Sequence, residues 1–155
     1  MSDPDLTDAV AALRRGDLVV YPTETVYGLG ADALDPEAIE RVFEAKGRSR
    51  QKPLSMALPE LAAAADYTRT TERERRFCQR FLPGPVTVLV ERTDRVPDVL
   101  VGGGDRVGIR IPDHDTARAL ARRTGPITAT SANRSGEPSG RRVDEVDAAI
   151  RERAT

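Results

Sequence analysis

Residues 46–52 read Lys-Gly-Arg-Ser-Arg-Gln-Lys, a cation at every second position with no carboxylate between them. Lys46 and Lys52 are the only lysines in the chain, so their spacing invites a chemical reading. Pro53 biases Lys52 towards extended backbone. In an extended segment, Lys46, Arg48, Arg50 and Lys52 would project from one side towards a polyphosphate or another anion. A solvated basic loop is the plainer alternative for such a run. A second stretch, YPTETVYGLG at Tyr21–Gly30, sets four side chains able to meet a ligand (Thr23, Glu24, Thr25 and Tyr27) among Pro22, Gly28 and Gly30. Those three restrict the backbone or allow close approach. A strand that ends in such a turn is a common place for a ligand. The same pattern also fits a β-hairpin whose threonines satisfy the turn.

Two further stretches carry polar chemistry. Ser131-Ala132-Asn133-Arg134-Ser135-Gly136 gathers small hydroxyl, amide and glycine residues. It could offer backbone N–H groups and hydroxyls to phosphates or a nucleoside, or it could be an ordinary turn. Val107, Ile109 and Ile111 alternate with Gly108 and Arg110, the period of a strand. Arg110 therefore points away from the face that buries the aliphatics. If that second face lines a cleft, the guanidinium can hold a carboxylate in a bidentate pair; otherwise it meets solvent.

Other chemistries find little support. His114 is the only histidine and stands between Asp113 and Asp115, where a helix begins. Its position suits capping, and a zinc site or a Ser-His-Asp mechanism has no partners for it. Cys78 is the only cysteine, which excludes an intrachain disulfide and fits a reducing compartment. It reads as a small core residue on a helix. The 155 residues carry a formal net charge of −1, so no global nucleic-acid signature is present. No long apolar run or leader pattern is visible, and a cytoplasmic, membrane-free protein is expected.

The elements that must position these residues follow from periodicity and caps. Asp3-Pro4 opens a first helix carrying Leu6, Ala9, Val10 and Leu13, stopped by Gly16. Leu18–Tyr21 reads as a buried strand. Asp35-Pro36 starts a second helix with Ile39, Val42 and Phe43 buried, Lys46 in its last turn and Gly47 as its stop. Leu54–Leu58 reads as a strand and Pro59–Ala65 as a short helix. Thr71 and Glu74 form a capping-box pattern before a helix with Phe77, Cys78 and Phe81. Pro83-Gly84-Pro85 breaks the chain, and Val86–Val90 resumes as a strand. Arg92–Gly104 reads as a polar, glycine-rich connection. Ile127–Thr130 is a further strand, and Val143–Arg153 a final charged helix. No repeat or domain linker interrupts them.

Taken together, YPTETVYGLG at 21–30, KGR…KPL at 46–54, PGPVT at 83–87, VGIRIP at 107–112 and TSANRSGEPS at 130–139 resemble the YrdC-like family, the threonylcarbamoyl-AMP synthases of tRNA modification. Their order and spacing agree with the family over nearly the whole chain. The resemblance implies an α/β fold: a single YrdC-like domain over 1–155, with a twisted mixed β-sheet flanked by helices and a deep concave pocket. It implies formation of L-threonylcarbamoyladenylate and pyrophosphate from L-threonine, bicarbonate and ATP, with Mg²⁺ accompanying ATP. A tRNA-modifying threonylcarbamoyl transferase complex would then use the product on tRNAs that read codons beginning with A.

By the same resemblance Thr25 and Arg110 would contact L-threonine, with Thr23 and Tyr27 shaping its pocket. Lys46 and Arg48 would be catalytic and, with Lys52, would bind the ATP phosphates. Ser131, Asn133 and Ser139 would bind the nucleotide, and Arg50 is a weaker candidate in a variable place. Two departures stand out. Many relatives carry a threonine-contacting histidine near Ala57, where this chain has Leu54-Ser55-Met56-Ala57. Family domains also continue beyond the position of Arg153. The alternatives to synthesis are a double-stranded RNA or tRNA-binding module, a carbamoyl-phosphate-dependent relative of the hydrogenase-maturation carbamoyltransferases, and an inactive regulatory homologue.

Overall fold

In the computed structural model, residues 6–132 are described. The Asp3-Pro4 start, Asn133, Ser139 and the 143–153 helix therefore lie outside the described residues. Among the described residues four α-helices, α1 (Thr7–Arg14), α2 (Pro36–Lys46), α3 (Glu72–Phe81) and α4 (Asp115–Thr124), accompany seven strands. These are β1 (Val19–Tyr21), β2 (Gly28–Gly30), β3 (Ser55–Ala57), β4 (Thr68–Arg69), β5 (Val88–Arg92), β6 (Arg106–Arg110) and β7 (Ile127–Ser131). The strands form one sheet in the order β1-β2-β7-β3-β6-β5-β4. Only β3 and β6 run parallel; the other neighbours are antiparallel. The sheet is mixed, as expected.

Strand alternation divides the core between the two faces of this sheet. Leu29, Met56, Val90, Val107 and Ile109 join Ile39, Val42 and Phe43 of α2 and Cys78 of α3 in one cluster. Val19, Tyr21, Ala57 and Ile127 join Val10 and Leu13 of α1 and Leu120 of α4 in the other. Register carries this parity across the strands: Ala57 sits opposite both Arg110 and Ile127, and Ser55 opposite Ala129. Gly28 lies opposite both Tyr21 and Ser131. Directly opposed residues project from the same face, so Tyr21, Ala57, Arg110, Ala129 and Ser131 share the α1–α4 side.

Local chemistry sets the helix ends. Asp35 accepts from Glu37 N, with Pro36 at the first helical position, and Gly47 ends α2 at a φ of 62°. Thr71 and Glu74 complete the expected capping box of α3. Of the three residues noted on this helix only Cys78 is buried; the Phe77 and Phe81 rings meet at a tilt, centroids 4.5 Å apart, while remaining exposed. His114 caps α4, its Nδ1 accepting from Thr116 N at 3.2 Å.

Three expectations change. The hairpin alternative for 21–30 holds, and residues 28–30 add a strand, paired with β1, that was not assigned from sequence. The reason is steric: a Cβ on Gly28 would stand 2.7 Å from Tyr21 Cζ, so glycine lets the tyrosine ring cross its partner strand. The short helix after β3 is a 3-10 turn over Leu61–Asp66. The 92–104 connection is structured rather than a polar loop. It holds a 3-10 helix over Asp98–Val101 and buries Val96, Leu100 and Val101. Arg92 ties it together, donating to Val96 O at 2.7 Å and Gly104 O at 2.8 Å.

Gly108 has no room for a side chain. An added Cβ would lie 2.5 Å from Ser55 Oγ and 2.8 Å from Thr87 Cγ2. Gly108→Ala is expected to destabilise the fold by about 1–3 kcal/mol through overpacking. Adding Ser55→Gly should recover part of that loss, because the two sites are in contact. Denaturant unfolding of both variants checks the pair; an unchanged midpoint for Gly108→Ala would show that the strand yields freely.

Candidate functional site

The hairpin loop between β1 and β2 is shaped by its own threonine. Thr23 Oγ1 accepts from Thr25 N at 3.2 Å and donates to Val26 O. The hairpin reading holds, with its turn satisfied by Thr23, and the loop lies over the Arg110 side of the sheet. Arg110 Nη2 donates to Thr25 Oγ1 at 3.2 Å and pairs with Glu24 Oε1. The other oxygen of Glu24 accepts from Asp113 N, just before α4. Arg110 Nε is buried and has no partner among the described residues.

Beside this pair lies a cavity of about 110 Å³. Thr23 and Tyr27 of the loop, Arg110, Ala57 and Ser131 line it, together with Tyr21, Thr87 and Ala129. That is well below the roughly 300 Å³ at which pockets for drug-sized ligands begin, so the space suits a small polar molecule rather than a nucleotide. Larger depressions of about 480 and about 580 Å³ lie elsewhere. Neither is lined by the candidate ligand-binding residues named from sequence. Tyr21 closes the cavity floor and donates to Thr128 O at 3.0 Å. Burial pushes its phenol well above the ordinary value, the Arg110 charge opposing, so it stays neutral.

Lys46 reaches the site from the opposite face of the sheet. The last turn of α2 buries it to 2% exposure, and its Nζ donates to Ser131 O at 2.6 Å. Burial, and then the nearby charge of Arg48, lower its pKa to about 8. Burial also lowers Arg48. A buried ammonium next to a second cation is a place where an anion would be strongly favoured.

The structure brings together some of the expected residues and not others. Thr23, Tyr27, Arg110 and Ser131 line one cavity, Thr25 bonds Arg110 outside the lining, and Lys46 bonds the Ser131 carbonyl. The extended row of cations over 46–52 does not form. Lys52 N bonds Ser49 O at 3.0 Å, turning the chain back after Gly47. Arg48 is held inside that turn, Nε to Lys52 O at 3.1 Å and Nη2 to Pro53 O at 2.9 Å. Arg50 folds onto α2 and pairs with Glu40 at 2.6 Å, and Lys52 is exposed. Loop carbonyls beyond α2 hold Arg48, and the Glu40 carboxylate on α2 holds Arg50, so neither guanidinium is left to extend into solvent. Tyr21, Thr87 and Ala129 were not singled out from sequence. Register supplies the signal for Ala129, opposite Ser55, but register is not readable from one chain.

A family model described as Telomere recombination (Sua5_yciO_yrdC) matches residues 11–155. The chain is 39% identical over 148 residues to the threonylcarbamoyl-AMP synthase of Bacillus subtilis, covering 94% of this chain and 43% of that protein. It is 37% identical over 152 residues to the threonylcarbamoyl-AMP synthase of Chromohalobacter salexigens, covering 97% of this chain and 82% of that one. The crystal structure of Pyrococcus abyssi Sua5 complexed with L-threonine superposes with a TM-score of 0.87 at 40% identity, covering 91% of this chain and 42% of that chain. The chain thus spans about two fifths of the Bacillus and Pyrococcus relatives. On the match to residues 11–155, the conserved architecture and these identities, the chain belongs to the Sua5/YciO/YrdC family.

Proposed function

We propose that this chain forms L-threonylcarbamoyladenylate and pyrophosphate from L-threonine, bicarbonate and ATP. The observation that carries this is the convergence of Arg110, Thr23, Tyr27 and Ser131 on one amino-acid-sized cavity, with Lys46 bonded to the Ser131 carbonyl at its edge. In this reading Arg110 holds the threonine carboxylate and Thr25 steadies it. The threonine amine attacks the carbon of bicarbonate, and water leaves, giving a carbamate. A carbamate oxygen then attacks the α-phosphorus of ATP, and pyrophosphate leaves. Lys46 and Arg48 offset the negative charge that gathers as the two anions approach. Lys52 and Ser131 complete the phosphate and nucleotide contacts, with Asn133 and Ser139 contributing from beyond the described residues. Among the described residues no group of three His, Cys, Asp or Glu side chains gathers to hold a metal, and Mg²⁺ enters as part of the ATP substrate.

The product would pass to a threonylcarbamoyl transferase complex that modifies tRNA. Among the described residues no helix is long and apolar enough to cross a membrane, and we place the reaction in the cytoplasm. The deciding assay incubates the purified chain with ATP, Mg²⁺, L-threonine and labelled bicarbonate. Labelled adenylate that requires all three substrates supports the reading; ATP and threonine binding without product contradicts catalysis by this chain alone.

A pH prediction follows from the lowered Lys46. The protonated form is the one that attracts phosphates, so kcat/KM for ATP should fall as pH rises through about 8, since that parameter reports the free enzyme. Lys46→Arg should remove this limb. Ligand-free stability should move the other way. The folded lysine releases its proton near 8 and the unfolded one near 10.5, so between those values the unfolded chain binds more protons and stability rises with pH.

A further inference from the structure

We propose that Glu24 is a positioning residue that holds Arg110 against the cavity and clamps the β1–β2 loop to the start of α4. This inference rests on the functional reading above. Glu24 divides its carboxylate between two sites far apart in sequence: Oε1 takes Arg110 Nη2, and Oε2 takes Asp113 N. Both ionic partners are largely withdrawn from solvent, with side chains 18% and 19% exposed. At that depth a pair is held more firmly than at the surface.

The cavity wall includes Arg110 but neither Glu24 nor Thr25. Both therefore grip the guanidinium from outside the space a ligand would fill. Their shared target is Nη2, and the neighbouring Nε remains buried without a partner among the described residues. The protein has thus fixed Arg110 at one nitrogen without using all of its donors. A long, flexible arginine fixed this way loses less freedom when it meets a carboxylate. Pro112 lies on the cavity wall directly before the anchored Asp113, so the same carboxylate also sets that wall.

L-threonine and ATP binding, measured separately by calorimetry on the full chain, test the assignment in wild type, Glu24→Gln, Arg110→Ala and the double variant. Glu24→Gln should weaken threonine binding about tenfold and leave ATP binding unchanged. In the Arg110→Ala background the same substitution should add no further loss, because Glu24 acts through Arg110. Should Glu24→Gln fail to fold, Glu24→Asp carries the test. It keeps the charge but is one methylene too short to span both partners, and a similar selective loss of threonine binding is expected. Unchanged or tighter threonine binding in the folded variant would overturn the assignment, since a carboxylate competing for Arg110 would give the latter. An equal loss in the Arg110→Ala background would overturn it as well. A wild-type chain that binds ATP but not threonine would instead overturn the functional reading, and this inference with it.

Discussion

Lys46→Met is expected to slow adenylate formation by about 10²–10³-fold while leaving threonine binding intact. Methionine nearly preserves the buried stem, so the packing at the end of α2 persists. What disappears is the ammonium group and its bond to Ser131 O. The reaction brings a carbamate up to a triphosphate, and a preorganised cation at a dry position is worth far more there than in water. Arg48 cannot replace it readily, because two of its nitrogens are already held by the carbonyls of Lys52 and Pro53. Single-turnover formation of labelled product at saturating substrates reads the effect. A rate within a few-fold of wild type would remove Lys46 from the chemistry and leave it as a strut for β7.

The second large effect is expected at the other end of the cavity. Arg110→Ala should raise KM for L-threonine by about 10–100-fold, the loss associated with a charge-assisted hydrogen bond, with a smaller change in kcat. The ATP dependence should be little altered, since Arg110 belongs to the amino-acid-sized space. Arg110→Lys should recover only part of the loss, because an ammonium cannot reproduce the planar fork. Steady-state kinetics with threonine and ATP varied separately distinguish this from general damage. A fall in kcat with KM unchanged would assign Arg110 to the transition state rather than to binding the carboxylate.

Much of the scaffold was legible because its signals are local. Asp35-Pro36, Gly47 and the Thr71–Glu74 box each act within one turn of chain, and each appears where the residues place it. The alternation around Arg110 likewise needed only strand period, and it separated the guanidinium from Val107 and Ile109 correctly. The hairpin strand at 28–30 was harder to see, because two of its three residues are glycines and its partner ring comes from Tyr21. The 92–104 segment was misread because charge and glycine outnumber the valines and leucine that pack beneath it. The cation run failed for a related reason. Period alone says nothing about the carbonyls that Arg48 would find in its own turn, or about Glu40 waiting one face away. Glu24 was recognised as a side chain able to meet a ligand. That it meets Arg110 instead depends on a pairing across 86 positions, which only the folded chain reveals.

The strand order has a consequence for how the protein comes into being. β7 is the last strand of the described chain, yet it sits between β2 and β3 and is hydrogen-bonded to both. During synthesis the β1–β2 ribbon and the β3-β6-β5-β4 assembly must wait as separate halves, each with an open edge, until residues 127–131 leave the ribosome. Contacts that span so much sequence form slowly, and unpaired edges invite association with other chains. The same insertion delivers Ser131 to Lys46 and Ala129 to the cavity. The cavity wall is therefore closed only when the last described strand is in place.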